Sequence, residues 1–172
     1  MSTPTLAAHG IAVRLPGGWE GRIGLRADAV PAGATRAGAE VASATADPGA
    51  AGVVRPVVHL ANFGLPSDRG DFGSGAVDLM GPRHVLLVLF EHGPESVGTA
   101  LFQASGMPMP QPHHFDPNTL QRRIAGQLGY QRFFTQSGRA FCLYAVLGSD
   151  RDVPAMAAQA RSVLSATEVA PR

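Results

Sequence analysis

Residues 129–169 constrain this chain most: two β-type runs flank Gln136-Ser137-Gly138, and an amphipathic segment follows almost at once. Over 129–135 aromatic and polar residues alternate, which puts Tyr130, Arg132 and Phe134 on one face of a strand and Gln131, Phe133 and Thr135 on the other. Residues 140–147 are nearly all apolar, so this second strand is expected to be buried on both faces. The Ser137-Gly138 pair supplies the positive φ of a tight hairpin turn, because glycine has no Cβ to clash there. Val153, Met156, Ala157, Ala160, Val163 and Leu164 then recur at intervals of three and four, the apolar stripe of a helix laid on the sheet. Asp150 or Asp152 is its expected cap, and 167–169 a final edge strand.

Upstream the pattern is looser. Residues 1–9 are expected to be a flexible tail and 10–169 a single mixed α/β domain. Ile11, Val13 and Leu15 alternate over 10–15, Pro16-Gly17-Gly18 breaks the run, and Trp19, Ile23 and Leu25 resume it, which predicts an N-terminal hairpin. From 26 to 52 the chain turns to Ala, Gly, Thr, Ser and Asp, interrupted by Pro31, Gly33, Gly38, Pro48 and Gly49, and reads as a mobile excursion. Residues 53–63 are the next strand, and 75–80 a short helix stopped by Gly81-Pro82. The unbroken apolar centre of 84–92 suits a central strand. Residues 94–103 are expected to be helical, 106–112 extended because of its three prolines, and Asp116-Pro117 the start of a short helix.

Composition excludes several chemistries. Hydrophobic residues make up 45% and charged residues 16%, as in a globular chain. All fourteen basic residues are Arg, in a background of Ala, Gly, Pro and Val that reports GC-rich coding DNA. Without lysine there is no Schiff base and no P-loop lysine. The net charge of +1, with Arg122-Arg123 the only adjacent basic pair, lacks the electrostatic footprint of a nucleic-acid binder. Residues 1–9 lack the n- and h-regions of a secretory signal, and the apolar run 85–90 is too short for a bilayer, so no membrane insertion and a cytoplasmic location are expected. Cys142, the single cysteine, falls in an apolar strand and behaves as a small buried hydrophobe.

The run Gly10-Ile11-Ala12-Val13-Arg14-Leu15-Pro16-Gly17-Gly18-Trp19 resembles the opening strand, proline turn and tryptophan of the PsbP-like α/β/α sandwich group. That fold is shared by photosystem extrinsic proteins and a Ran-binding nuclear import factor. The closing hairpin, helix and short strand over 129–169 are similar too. The resemblance covers about a third of the chain, at its two ends. It implies a binding or assembly accessory, and it implies no functional residue.

Four constellations invite a chemical reading. His113-His114-Phe115-Asp116 gathers three ligand-type groups, but adjacent histidines on an extended segment point to opposite sides, which favours surface histidines over a metal site. His84 and His92 bracket one strand about 25 Å apart and cannot share an ion. The glycine-rich loop at 67–75, with Asp68, Asp71 and Ser74, could turn N–H groups toward an anion, yet neither its spacing nor its aspartates match a P-loop. Ser74 lies between glycines without the Gly-x-Ser-x-Gly elbow. Met107 and Met109 sit among three prolines on a pre-extended strip that, with His113, His114 and Phe115, is a candidate protein-binding edge.

The expected protein is therefore α/β of the α+β type: a single-domain sandwich with a mostly antiparallel sheet and a C-terminal helix packed on it. Its expected role is a non-catalytic protein-binding or assembly accessory module, its partner another protein or a second copy of itself. No catalytic residue, metal or cofactor is assigned. The alternative is a small enzyme using the 67–75 loop or the 113–116 segment.

Overall fold

The computed structural model describes residues 4–27 and 53–172. The strands are β1 (Thr5–Ala8), β2 (Ile11–Arg14), β3 (Glu20–Ala27), β4 (Val54–Ala61), β5 (Val85–Glu91), β6 (Leu128–Gln136), β7 (Arg139–Leu147) and β8 (Thr167–Val169). They form a three-stranded sheet in the order β1-β2-β8 and a five-stranded sheet in the order β3-β4-β5-β7-β6, with antiparallel neighbours throughout. Helix α1 (Ser74–Val77) is a single turn, and α2 (Val153–Ser165) is the long helix. Two antiparallel sheets and one long helix make an α+β protein in which sheet predominates.

Side-chain alternation explains the stacking. One face of the large sheet presents Leu87 and Leu89 from β5 with Phe141 and Leu143 from β7, and the stripe of α2 packs there with Ile11 and Val13 of β2. The opposite face presents Val88 and Phe90 with Cys142 and Tyr144, covered by Ala76 and Val77 of α1 and by Leu120 and Ile124. Because both faces are covered, β5 and β7 are apolar apart from Glu91 and Arg139 at one end, and all their residues are buried. The hairpin β6-β7 turns through Ser137 (φ 53°) and Gly138 (φ 72°), as the sequence predicts.

Several expectations are corrected. The tail forecast over 1–9 contains β1, which turns into β2 through His9 (φ 52°) and Gly10 (φ 75°). That turn has the same left-handed pair as 137–138. The forecast N-terminal hairpin fails because both edges of β2 are taken, by β1 and β8, so the chain crosses at Pro16-Gly17-Gly18 and β3 pairs with β4 instead. Residues 94–103 form two single 3₁₀ turns, Pro94–Ser96 and Ala100–Phe102, because Val97 is extended and Gly98 takes φ 80° between them. Asp152 caps α2 by position alone, with φ 56° and no side-chain hydrogen bond. Arg26 and Ala27 belong to β3, and the rest of the excursion forecast over 26–52 lies outside the described residues.

One side chain ties the two sheets together. Arg139, at the start of β7, is 2% exposed at its side chain and faces the 3% exposed carboxylate of Glu91. Its Nε donates to Glu91 Oε1 at 3.0 Å and its Nη2 to Oε2 at 2.6 Å, a two-pronged charge-assisted pair. The remaining donors reach the carbonyls of Gly10 (3.2 Å), Ala170 (3.1 Å) and His9 (3.1 Å), which are the β1-β2 turn and the chain just after β8. Every guanidinium N–H is thereby used, and Glu91 accepts a further bond from Arg172 Nη2 at 3.0 Å.

Candidate functional site

Strand β6 is an edge of the large sheet, and the chain after Phe102 runs outside it. Thr135 N–H donates to the Ala104 carbonyl at 2.7 Å, and its carbonyl accepts from Gly106 N–H at 3.0 Å. Asp116 and Gly129 exchange the reciprocal pair at 2.8 and 3.0 Å. Between these two attachments the chain bows away from β6. The space left is a concavity of about 480 Å³ lined by Met107, Met109, His114, Tyr130, Gln131 and Arg132 among others.

The structure thus gathers Met107, Met109 and His114 from the predicted binding residues. Met107 packs partly against the core, while Met109 is 39% exposed. Proline placement is what keeps this strip out of helix, and Arg161 of α2 anchors it by donating from Nη1 to the Pro110 carbonyl at 3.1 Å. His113 and His114 do not diverge as an extended segment would make them. They sit on the 3₁₀ turn Pro112–His114 with ring centroids 4.2 Å apart. His114 Nδ1 accepts from Gln111 N–H at 3.0 Å, so the neutral ring carries its proton on Nε2 and offers a donor there. Its ring stacks near Tyr130, 5.9 Å between centroids.

Phe115 is a correction: it is buried in the core beside Tyr130, at 5.8 Å, and cannot belong to an exposed edge. Asp116 spends its carboxylate on Asn118 N–H at 2.6 Å, capping the turn Pro117–Thr119. Among the described residues no group of three His, Cys, Asp or Glu side chains is placed to hold a metal ion.

Tyr130 and Arg132 are the residues that sequence reasoning placed on a face but gave no role. The Arg132 side chain is exposed and, among the described residues, makes no hydrogen bond or ion pair. Burial pushes the Tyr130 phenol up from its ordinary pKa, with the Arg132 charge opposing, so the hydroxyl stays a neutral donor. An edge strand carrying Tyr and Arg on one face was the available signal.

The 67–75 loop is a packed cover. His59 Nε2–H is shared between the carbonyls of Gly70 (3.2 Å) and Asp71 (3.1 Å), and Phe72 packs on Phe90 and Tyr144 at 4.3 and 5.7 Å. A Cβ on Gly75 would lie 2.0 Å from the Asp68 carbonyl oxygen, so glycine is required where the loop closes. Asp71 approaches Arg26 at 3.9 Å, Asp68 lies exposed, and Ser74 lines only a small cavity of about 50 Å³. No described cavity is lined by more than one of these three residues. Cys142 is equally unsuited to chemistry: burial pushes its thiol up to about 11, with Gln131 Nε2–H donating to Sγ at 3.4 Å.

His59 makes the loop acid-sensitive. Burial lowers its pKa below 6.5, and the Arg69 charge lowers it further. Folding therefore disfavours the imidazolium, so the associated stability is complete above about pH 6.5 and is lost as pH falls through the lowered folded value. His59→Gln is expected to flatten that part of the profile, read as the urea midpoint from pH 7.5 down to 4.5. Parallel profiles for the two proteins would refute it.

Comparison of the chain with protein-family models, with curated proteins and with solved structures finds no match. Among the described residues no helix is long and apolar enough to cross a membrane.

Proposed function

We propose that the protein is a non-catalytic binding or assembly module whose contact site is the concavity beside β6. One observation carries this reading: flexible thioethers of Met107 and Met109 line the same hollow as Tyr130, His114 and Arg132. Methionine adapts to irregular apolar surfaces, and the polar groups around it are donors awaiting an acceptor. The lining mixes apolar side chains with convergent polar groups, so an occupant must offer hydrogen-bond acceptors as well as apolar surface. In the same reading the two sheets and α2 form one sandwich domain of the PsbP-like kind. Its supports are β2, the proline turn and Trp19 at the start, and β6, β7, α2 and β8 at the end. Members of that group act mainly as accessories, and that analogy favours binding over catalysis.

The double substitution Met109→Ser with Arg132→Ser alters two exposed side chains and should spare the fold. Association with a partner, or with a second copy measured by sedimentation, is expected to weaken about tenfold or more, the equivalent of about 1.4 kcal/mol. The circular dichroism spectrum and melting temperature should not move. Undiminished association would place the contact elsewhere.

A further inference from the structure

We propose that the concavity beside β6 receives the carboxyl terminus of a peptide, held by main-chain pairing to Gln131 and Phe133 and by the charge of Arg132. This inference rests on the binding reading above and names its ligand.

The argument begins with the ladder. Along an edge strand every second residue turns its N–H and C=O outward. The bonds of Gly129 to Asp116 and of Thr135 to Ala104 and Gly106 fix which set is outward in β6. Gln131 and Phe133 belong to the same set, and among the described residues their outward N–H and C=O groups have no main-chain partner. An unpaired stretch of edge is a template for an added strand.

Its length then selects the ligand. Thr135 lies six positions beyond Gly129, roughly 20 Å along a strand, and the attachments close both ends. A free run of about three residues remains, and an internal strand of a partner, or a second β6, continuing past it would run into the segments bonded at Gly129 and Thr135. A chain end entering the hollow meets no such limit.

Charge decides which end. The Arg132 guanidinium has no partner among the described residues, His114 offers Nε2–H and Tyr130 a hydroxyl, and all three line the hollow. Donors of this kind suit a carboxylate and repel an α-ammonium group. Side chains of a paired strand alternate in direction, and here they meet two different hollows. One is the methionine-lined concavity; the other, of about 260 Å³, lies across Gln131 and Arg132 and is lined by Leu101 and Phe133. Exposed Leu101 gives the second hollow its apolar wall.

The test uses the whole chain, labelled with ¹⁵N, and two pools of random tetrapeptides that differ only in a free or an amidated carboxyl terminus. The free-acid pool is expected to shift the Gln131 and Phe133 amide signals and to bind about tenfold or more tighter than the amidated pool. Arg132→Gln, at an exposed position, should bring the free-acid affinity down to the amidated value. Equal binding of the two pools would overturn the carboxylate assignment while leaving the binding module standing. Shifts confined to other amides, or no binding of either pool, would overturn the inference whatever the association experiment shows.

Discussion

Arg139→Met is expected to destabilise the protein by about 3–5 kcal/mol, because it leaves Glu91 as a buried carboxylate without its principal counter-charge. Arg172 also reaches Glu91, but its side chain is 54% exposed and water screens it, so Arg172→Ala should cost at most about 1 kcal/mol. For a chain of this size each kcal/mol moves the melting temperature by about 2–4 °C, so Arg139→Met should lower it by roughly 6–20 °C. The double change Arg139→Met with Glu91→Met removes both charges and should recover much of the loss. Recovery will be incomplete, since the carbonyls of His9, Gly10 and Ala170 also lose their donor. A single-mutant cost below about 1 kcal/mol would mean that water reaches Glu91 and that the clamp does not join the sheets.

What the sequence revealed and what it hid follow from the range of the forces involved. The β6-β7 hairpin, the burial of β5 and the stripe of α2 were readable because periodicity and turn chemistry act within a few residues. Strand β1 was hidden because Thr5, Leu6, Ala7 and Ala8 carry no strong apolar alternation; pairing across the His9-Gly10 turn makes them a strand. The partner of β2 was hidden for a related reason: Val13 meets Thr167 across nearly the whole chain, and no local pattern encodes such a pairing. Arg139 carries no local signal of its role, since its five acceptors come from segments distant in sequence.

The site divides along the same line. Met107, Met109 and His114 were identifiable from the proline strip, whereas Phe115 was misjudged because a single aromatic after a turn can face either way. Tyr130 and Arg132 became meaningful only once β6 proved to be an edge, which depends on strand order rather than on residue identity. The 67–75 loop has the glycines of an anion cradle without its spacing, and His59, on a strand of its own, uses two of the loop's carbonyls to fold it down.

Truncating the apolar centre of β7 is the second large effect. Leu143 is fully buried between Leu89 of β5 and Arg132 of β6 and contributes to the face that α2 covers, so Leu143→Ala should cost about 2–5 kcal/mol. Phe141→Ala should reach about 3–5 kcal/mol, because the ring fills more of the core and stacks against Phe134 at 5.7 Å. Equilibrium urea unfolding gives the check: the midpoint should fall while its slope stays constant, since the area exposed on unfolding is nearly unchanged. Leu101→Ala, at a side chain 58% exposed, is the control and should stay within about 0.5 kcal/mol. The Arg139 guanidinium lies 5.3 Å from the Phe141 ring centroid, so the losses from Phe141→Ala and Arg139→Met should not add. Independent, additive losses would separate the ionic clamp from the core, and a near-neutral Leu143→Ala would show that β7 is not the buried strand between β5 and β6.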